Sequence, residues 1–302
     1  MLISIIVPSF NQGRYIRETL DSILSQDYRP LEVLVIDGAS TDDTVDVLRS
    51  YGDIPELQWW SEPDRGVVDA VNKGLARAKG GIMAIQSSDD VYVPGALSVV
   101  MAEFAADAET ALIYGDVEYI DADSRPTGRT ALPPFDLGDY IGKLTFIPQP
   151  AAFFRASAAR AAGDWREDIS YAADAEFYLR IAQQYRVQKI DRILARYRYH
   201  EAQRDKESVR VPRDWTKAIE PWTRDADPRI RRLSRGSVWL VRHHYTPPRQ
   251  WMKRTWYSYR MLLANPALFR QMDRRDLFPG REPIWRFLSR VKRALGFRPR
   301  GQ

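Results

Sequence analysis

Four short apolar runs separated by amphipathic stretches occupy the first 86 residues, and few architectures accept that alternation. The runs are LISIIVP, LEVLVID, LQWWSE and IMAIQ, and the β-branched character of the first marks it as a strand. Between them, GRYIRETLDSILSQ sets Ile16, Leu20, Ile23 and Leu24 on one helical face. STDDTVDVLRSY opens with Ser40 or Thr41 as an expected N-cap and has acids in its first turn, where the helix dipole favours them. GVVDAVNKGLARA reads as a third helix, stopped by Gly80-Gly81. Strands of near-continuous apolar character need cover on both faces, so a mostly parallel sheet flanked by helices is predicted. Ligands of such sheets bind beyond the carboxyl ends of the strands.

Those ends are rich in chemistry. The first delivers Pro8, Ser9, Phe10 and Asn11; the second, Asp37; the third leads to Glu62 and Asp64; the fourth opens into QSSDD, with Ser88, Asp89 and Asp90. Taken singly, Asp37 could serve turn chemistry and Asp89 could cap the next helix. Recurrence after successive strands argues for a site. Clustered carboxylates stay ionised together only beside a cation or hydrogen-bond donors. Hard oxygen ligands suit Mg²⁺ or Mn²⁺, and such an ion could bridge protein carboxylates to a diphosphate.

The wider composition narrows the classes. The 302 residues contain no cysteine, which excludes disulfides, thiolate metal sites and a cysteine nucleophile. No run approaches the length of a membrane-spanning helix, and LISIIVP is too short for a signal-peptide core, so a cytoplasmic location is expected. The net charge of +5 hides a division. Residues 204–302 carry 25 Lys+Arg against 9 Asp+Glu, whereas residues 1–203 carry 20 against 31. Two regions are therefore expected, an acidic part suited to a cation and a basic part suited to an anionic partner, divided as residues 1–205 and 206–302.

In order, SIIVPSFN, VLVIDGASTDDT, SEPDRGVVDAVNKGLARAKG and QSSDD resemble the family 2 glycosyltransferases of the GT-A fold. The resemblance is dense over residues 3–120. It thins through IPQPAAFFR, YAADAEFYLR and YRYHEAQRD to about residue 205. The wording is similar to that of bacterial members that build O-antigen, capsule or exopolysaccharide. The resemblance implies an inverting, metal-dependent transferase that moves a sugar from a nucleotide-sugar donor, UDP-linked by default, to a hydroxyl of a lipid-linked or polysaccharide acceptor. It implies that Pro8, Phe10 and Asn11 line the nucleoside pocket, that Asp37 bonds the base, and that Asp64 is a further donor-site acid. Within SDD it places Asp89 at the ribose or sugar and Asp90 on the metal. Ser88 stands where the family's DxD pattern has its first acid, leaving one charge fewer for Mn²⁺ or Mg²⁺.

The same resemblance puts the catalytic base at Asp174 in YAADAEFYLRIAQQY, with Glu176 as the fallback. An alcohol is a poor nucleophile at neutral pH, so a carboxylate must take its proton. Asp174 could instead simply complement a helix N-terminus. His200 falls where a family histidine completes the metal or diphosphate site, and a surface histidine is the alternative. Asp116 and Gln149 sit where members shape the acceptor side, or serve turns and packing. A catalytically silent domain that binds a nucleotide sugar or acts as a scaffold stays open as the other class of function.

The tail is rich in Arg and Trp. Ile284, Phe287, Leu288, Val291 and Leu295 fall at helical spacing beside Arg286, Arg290, Lys292 and Arg293. Such a basic amphipathic helix suits an anionic membrane, the inner face of the plasma membrane here, or it packs on the catalytic domain. Nucleic acid ranks last as a partner because no recognised module for it occurs. Homo-oligomerisation is left open.

Overall fold

A computed structural model describes residues 1–201, 209–224 and 226–265. The chain forms two compact units, Met1–Tyr140 with Leu144–Asp205, and Ile141–Lys143 with Lys206–Gln302. In the first unit, β1 (Ile3–Ser9), β2 (Leu31–Asp37), β3 (Leu57–Ser61) and β4 (Ile82–Ile85) are the four apolar runs. They pair in parallel in the order β3-β2-β1-β4. Every residue of β1, β2 and β4 is buried, as continuous apolar strands require. Between them run α1 (Ile16–Leu24), α2 (Thr44–Arg49) and α3 (Val67–Arg77).

Two local expectations are corrected. The second helix starts only at Thr44, without a side-chain cap, because Ser40 is drawn into hydrogen bonds with the preceding strand end. The third ends at Arg77, before the paired glycines, which instead turn the chain into β4. Gly80 is needed there, since a Cβ would stand 2.6 Å from the Ile82 carbonyl oxygen.

Beyond β4 the sheet becomes mixed. β5 (Val91–Tyr92) is followed by α4 (Ala96–Ala106), β6 (Thr110–Ile120), β7 (Pro126–Arg129), α5 (Leu137–Ile141), β8 (Ala152–Arg155), α6 (Ala156–Ala162), α7 (Ala173–Gln184) and β9 (Arg186–Arg198). β8 is antiparallel to β4 and β6, β9 is parallel to β6, and β5 closes the edge antiparallel to β9. The end of β9 thereby arrives beside the segment joining β4 to β5, which contains Asp89 and Asp90. The second unit is helical and basic: α8 (Arg210–Ala218), α9 (Glu220–Arg224), α10 (Pro228–His244) and α11 (Trp251–Ala264). Asp227 caps α10 by accepting from the Arg229 and Ile230 N–H groups. The expected amphipathic segment at residues 284–295 lies outside the described residues.

α3 approaches β1 closely through Gly74. A Cβ there would meet Ile6 Cγ2 at 2.3 Å, and Ile6 is fully buried and β-branched. Overpacking of this kind costs about 1–3 kcal/mol, against a helix-propensity gain of about 1 kcal/mol for Gly→Ala. Gly74→Ala is expected to lower Tm by several degrees in a thermal melt, whereas an exposed Gly→Ala in a helix would raise it.

Candidate active site

The site starts from β1. Pro8 is buried in register with Ile36 of β2, so it sets the strand end rather than offering a surface. Phe10, immediately after the strand, is 58% exposed. Asn11 adopts the left-handed region at φ 52°, which asparagine tolerates better than most residues. Its N–H donates to Ser40 Oγ at 2.7 Å and its Oδ1 accepts from the Thr41 N–H at 2.9 Å. Gly13 N–H donates to Asp42 Oδ2 at 2.9 Å. Burial pushes the Asp42 carboxyl up, but bonds from the Thr44 hydroxyl and from the Gly13 and Thr44 N–H groups leave it below its usual range.

Asp37 closes β2 and is fully buried. Its oxygens accept from Ser40 N–H at 3.0 Å, Ser40 Oγ at 2.5 Å and Ser61 Oγ at 2.6 Å. These donors stabilise the buried charge that turn chemistry alone would expose. Asp64 lies against Gly38: a Cβ on Gly38 would stand 2.7 Å from Asp64 Oδ2. Gly66 N–H donates to Asp64 Oδ1 at 2.8 Å. Asn11, Asp37 and Asp64 thus share one edge of the sheet, joined through Ser40, Ser61 and Gly38. The Ser9 hydroxyl beside them is buried with no hydrogen-bond partner among the described residues, an orphan that calls for a ligand or water. Glu62 instead pairs with Lys73 at 3.1 Å.

The two adjacent carboxylates are compensated separately. Asp90 is only 2% exposed, and its Oδ1 accepts the Arg198 N–H at 2.8 Å. Thr19 Oγ1 donates to its carbonyl at 2.8 Å. Asp89 turns the other way and meets His200 Nε2 at 2.9 Å, which rules out the helix-cap reading. A carboxylate only accepts, so in this arrangement Nε2 carries the proton. The His200 ring packs 4.9 Å from that of Tyr15. The histidine is therefore 7% exposed at its side chain and is not a surface residue.

Arg198 is the residue that the sequence did not disclose. Its guanidinium is fully buried; it donates to the Asp89 carbonyl at 2.7 Å, Ser124 Oγ at 2.8 Å and Glu18 Oε2 at 2.6 Å. It lies 4.9 Å from the Tyr15 ring centre. One side chain thus ties the end of β9 to α1, to the turn after β6 and to the Asp89–Asp90 backbone. The only hint in the sequence was an arginine two places before a histidine in YRYH.

Asp174 stands in the first turn of α7 and is partly buried. Burial raises the Tyr178 and Tyr140 phenols well above their ordinary range, and the Asp174 charge raises them further. Tyr92 acts on Tyr178 in the same way, and Asp90 on Tyr92. The Asp174 and Asp90 charges thus both act on this set of buried phenols, Asp174 on Tyr140 and Tyr178 and Asp90 on Tyr92. Glu176, by contrast, is held by Arg180 at 2.9 Å and faces Arg166 at 3.9 Å, so it is committed to packing α7. Asp116 is bound to Lys189 at 2.9 Å and accepts from Thr130 Oγ1 and Leu132 N–H. Gln149 donates to the Ile85 carbonyl and accepts from Ser87 Oγ, bracing the QSSDD segment.

Among the described residues no three His, Asp or Glu side chains form a metal cage. A divalent ion bridging to a diphosphate needs only one or two protein ligands, the substrate supplying the rest. Two donors on adjacent corners of an octahedron with ~2.1 Å bonds lie ~3 Å apart. Asp89 Oδ2 and His200 Nε2, 2.9 Å apart, lie at that spacing, and an ion between them would take the place of the proton that Nε2 carries here, leaving the imidazole proton on Nδ1. Asp90, the ligand expected from the sequence, is buried with Oδ1 accepting the Arg198 N–H.

The family model described as Glycosyl transferase family 2 matches residues 4–161. The chain is 32% identical over 184 residues to an uncharacterized glycosyltransferase of Mycobacterium tuberculosis, covering 60% of this chain and 68% of that protein. It is 28% identical over 186 residues to the chondroitin synthase of Pasteurella multocida, covering 60% of this chain but 19% of that much longer protein. Among solved structures it is similar to S. aureus TarS in complex with UDP-GlcNAc, with TM-score 0.64 and 18% identity over 87% of this chain and 81% of that one. The Pyrobaculum calidifontis mannosyltransferase PcManGT in complex with GDP-Man and Mn²⁺ matches with TM-score 0.63 and 21% identity over 98% and 81%. At these identities the two structures speak for the GT-A fold.

Proposed function

The chain belongs to glycosyl transferase family 2, and from that premise we propose that it inverts the anomeric centre of a sugar while moving it from a nucleotide-sugar donor, UDP-linked by default, to a hydroxyl of a lipid-linked or polysaccharide acceptor. The observation that carries the reading is the convergence, at the carboxyl ends of parallel strands, of a buried Asp37 with its serine donors and the Asp89–His200 pair. Asp37 is fully buried, so a base N–H would reach its carboxylate by displacing part of the Ser40 or Ser61 cover, onto an acceptor already fixed in place. Phe10, exposed next to Asn11, offers a ring face for that base to stack on. Asp64 and the Ser9 hydroxyl remain for the ribose or sugar.

Asp89 and His200 would hold Mn²⁺ or Mg²⁺; a bound ion would stabilise the charge that collects on the departing diphosphate. Asp90 and Arg198 hold the segment on which Asp89 sits. Asp174 takes the proton of the acceptor hydroxyl as it attacks from the face opposite the nucleotide. Fixing donor and acceptor in line removes much of the entropic barrier. No covalent intermediate is needed.

The test is a panel of UDP-, GDP- and dTDP-sugars with Mn²⁺, Mg²⁺ or chelator, scored by nucleoside diphosphate release and by thermal stabilisation. Release from one donor class with metal, lost in chelator, is expected. A donor at ~100 times its Kd adds about 2.7 kcal/mol to stability, so binding is readable even where turnover is slow. Stabilisation without release across a broad acceptor set would favour the silent, binding-only reading. Neither signal with any donor would overturn the proposal.

A further inference from the structure

The outer face of α11 carries an apolar stripe that nothing in the proposed chemistry uses. Met252, Trp256, Tyr259 and Leu263 follow one another at helical spacing and are 69%, 49%, 59% and 63% exposed. The opposite face is spent on α10. His243 of α10 is buried and accepts from Arg254 at Nε2, 3.1 Å away, which leaves its Nδ1–H to face Ser258 Oγ at 2.9 Å. Met261 and Ser258 are buried on that side. The orientation of α11 is therefore locked, and the stripe is held outward rather than exposed by chance.

Charge identifies the occupant. Residues 228–264 contain nine Lys and Arg and no Asp or Glu. Several of these cations are fixed beside the stripe by aromatic rings. The Arg260 guanidinium lies 4.8 Å from the Trp239 ring and 5.5 Å from the Trp256 ring, and Arg242 lies 4.9 Å from Trp239. Trp239 and Trp256 meet edge to face at 5.3 Å. An open cleft of about 690 Å³ at the edge of the stripe is lined by Arg235, Val238, Trp239, Arg260 and Leu263, two cations over apolar walls. Apolar side chains, Trp and Tyr on the outer face of α11, with cations of α10 and α11 beside them, match the boundary between acyl chains and anionic headgroups. A nucleic acid would use the arginines and rings but leave Met252 and Leu263 in water.

We propose that the α10–α11 hairpin is an interfacial anchor: α11 lies in the plane of an anionic lipid surface, with Met252, Trp256 and Leu263 in the acyl boundary and Lys253, Arg235 and Arg260 on headgroup phosphates. It deepens the reading of a lipid-linked acceptor above, since such an acceptor lives at that surface. No helix among the described residues is long and apolar enough to cross a membrane, so the contact is in-plane.

The test is co-sedimentation of the full chain with vesicles of phosphatidylcholine alone or mixed with phosphatidylglycerol, at low and high salt. Wild type is expected to bind the anionic vesicles only, with a part that survives high salt. Each basic group at such a surface strengthens partitioning by roughly fivefold, so Lys253→Glu with Arg260→Glu should lower the partition coefficient at least about tenfold. Met252→Ser with Leu263→Ser should remove the salt-resistant part; both side chains are exposed, so folding is spared. If either double variant binds as wild type does, the anchor lies elsewhere, residues 266–302 included, and the proposal fails. It fails too if wild type ignores anionic vesicles, if RNA displaces it from them, or if the variants change only its mass in light scattering. Donor-induced thermal stabilisation, read on the same samples, reports the catalytic reading separately.

Discussion

Asp174→Asn is expected to lower kcat by about 10²–10⁴-fold, the usual range for loss of a positioned proton acceptor, while donor affinity and Tm change little. Asparagine keeps the size of the side chain and can still bond the acceptor hydroxyl, but it cannot take its proton. The side chain sits in the first turn of α7, so the lost charge–dipole term is only about 0.3–1 kcal/mol. The measurement is initial rate against acceptor concentration, with nucleotide affinity determined in parallel. Normal turnover would mean that Asp174 only complements the helix. Glu176→Gln supplies the contrast: its carboxylate is tied to Arg180, so the change is expected to lower Tm and leave kcat near wild type.

Asp89→Ala is expected to cost at least about 10²-fold in kcat/KM, equivalent to several kcal/mol of lost charge stabilisation on the leaving diphosphate. UDP should still bind, but Mn²⁺ should no longer strengthen its thermal stabilisation. His200→Ala should act on the same property, and the two changes together should cost little more than either alone, because they would remove one ion. Asp90→Ala separates the neighbours. It orphans the buried Arg198 N–H, a loss of about 1–3 kcal/mol, so a lower Tm in the absence of metal and nucleotide is its expected signature. If Asp90→Ala melts like wild type but abolishes the Mn²⁺ effect, and Asp89→Ala does not, the ligand is Asp90 rather than Asp89.

The parallel half of the sheet was legible residue by residue. Apolar runs such as LEVLVID have one economical use, as strands covered on both faces, and the amphipathic stretches between them supply the cover. The polar residues at the strand ends were legible for the same reason, because the chain direction that builds a parallel sheet carries Asn11 and the acids Asp37, Asp64 and Asp89 to one edge. Helix starts were less so: Ser40 fits an N-cap by composition, but a buried carboxylate three residues earlier competes for its hydroxyl and N–H and wins. Such a competition is decided by burial, which composition does not report.

The division of labour within the Asp89–Asp90 pair lay beyond the sequence altogether. Adjacent residues share their motif, charge and intrinsic chemistry, and only the direction of each side chain separates them. That direction is imposed by β9, which arrives from more than 100 residues away and sets the Arg198 N–H on Asp90 and the His200 ring on Asp89. From residue types alone the chain determined its strands, its helices and the sheet edge at which its acids gather, because hydrophobic periodicity is a local property. Which carboxylate is buried on the Arg198 N–H and which meets the His200 ring was decided only when distant segments met, because desolvation and hydrogen-bond partners exist only in the folded chain.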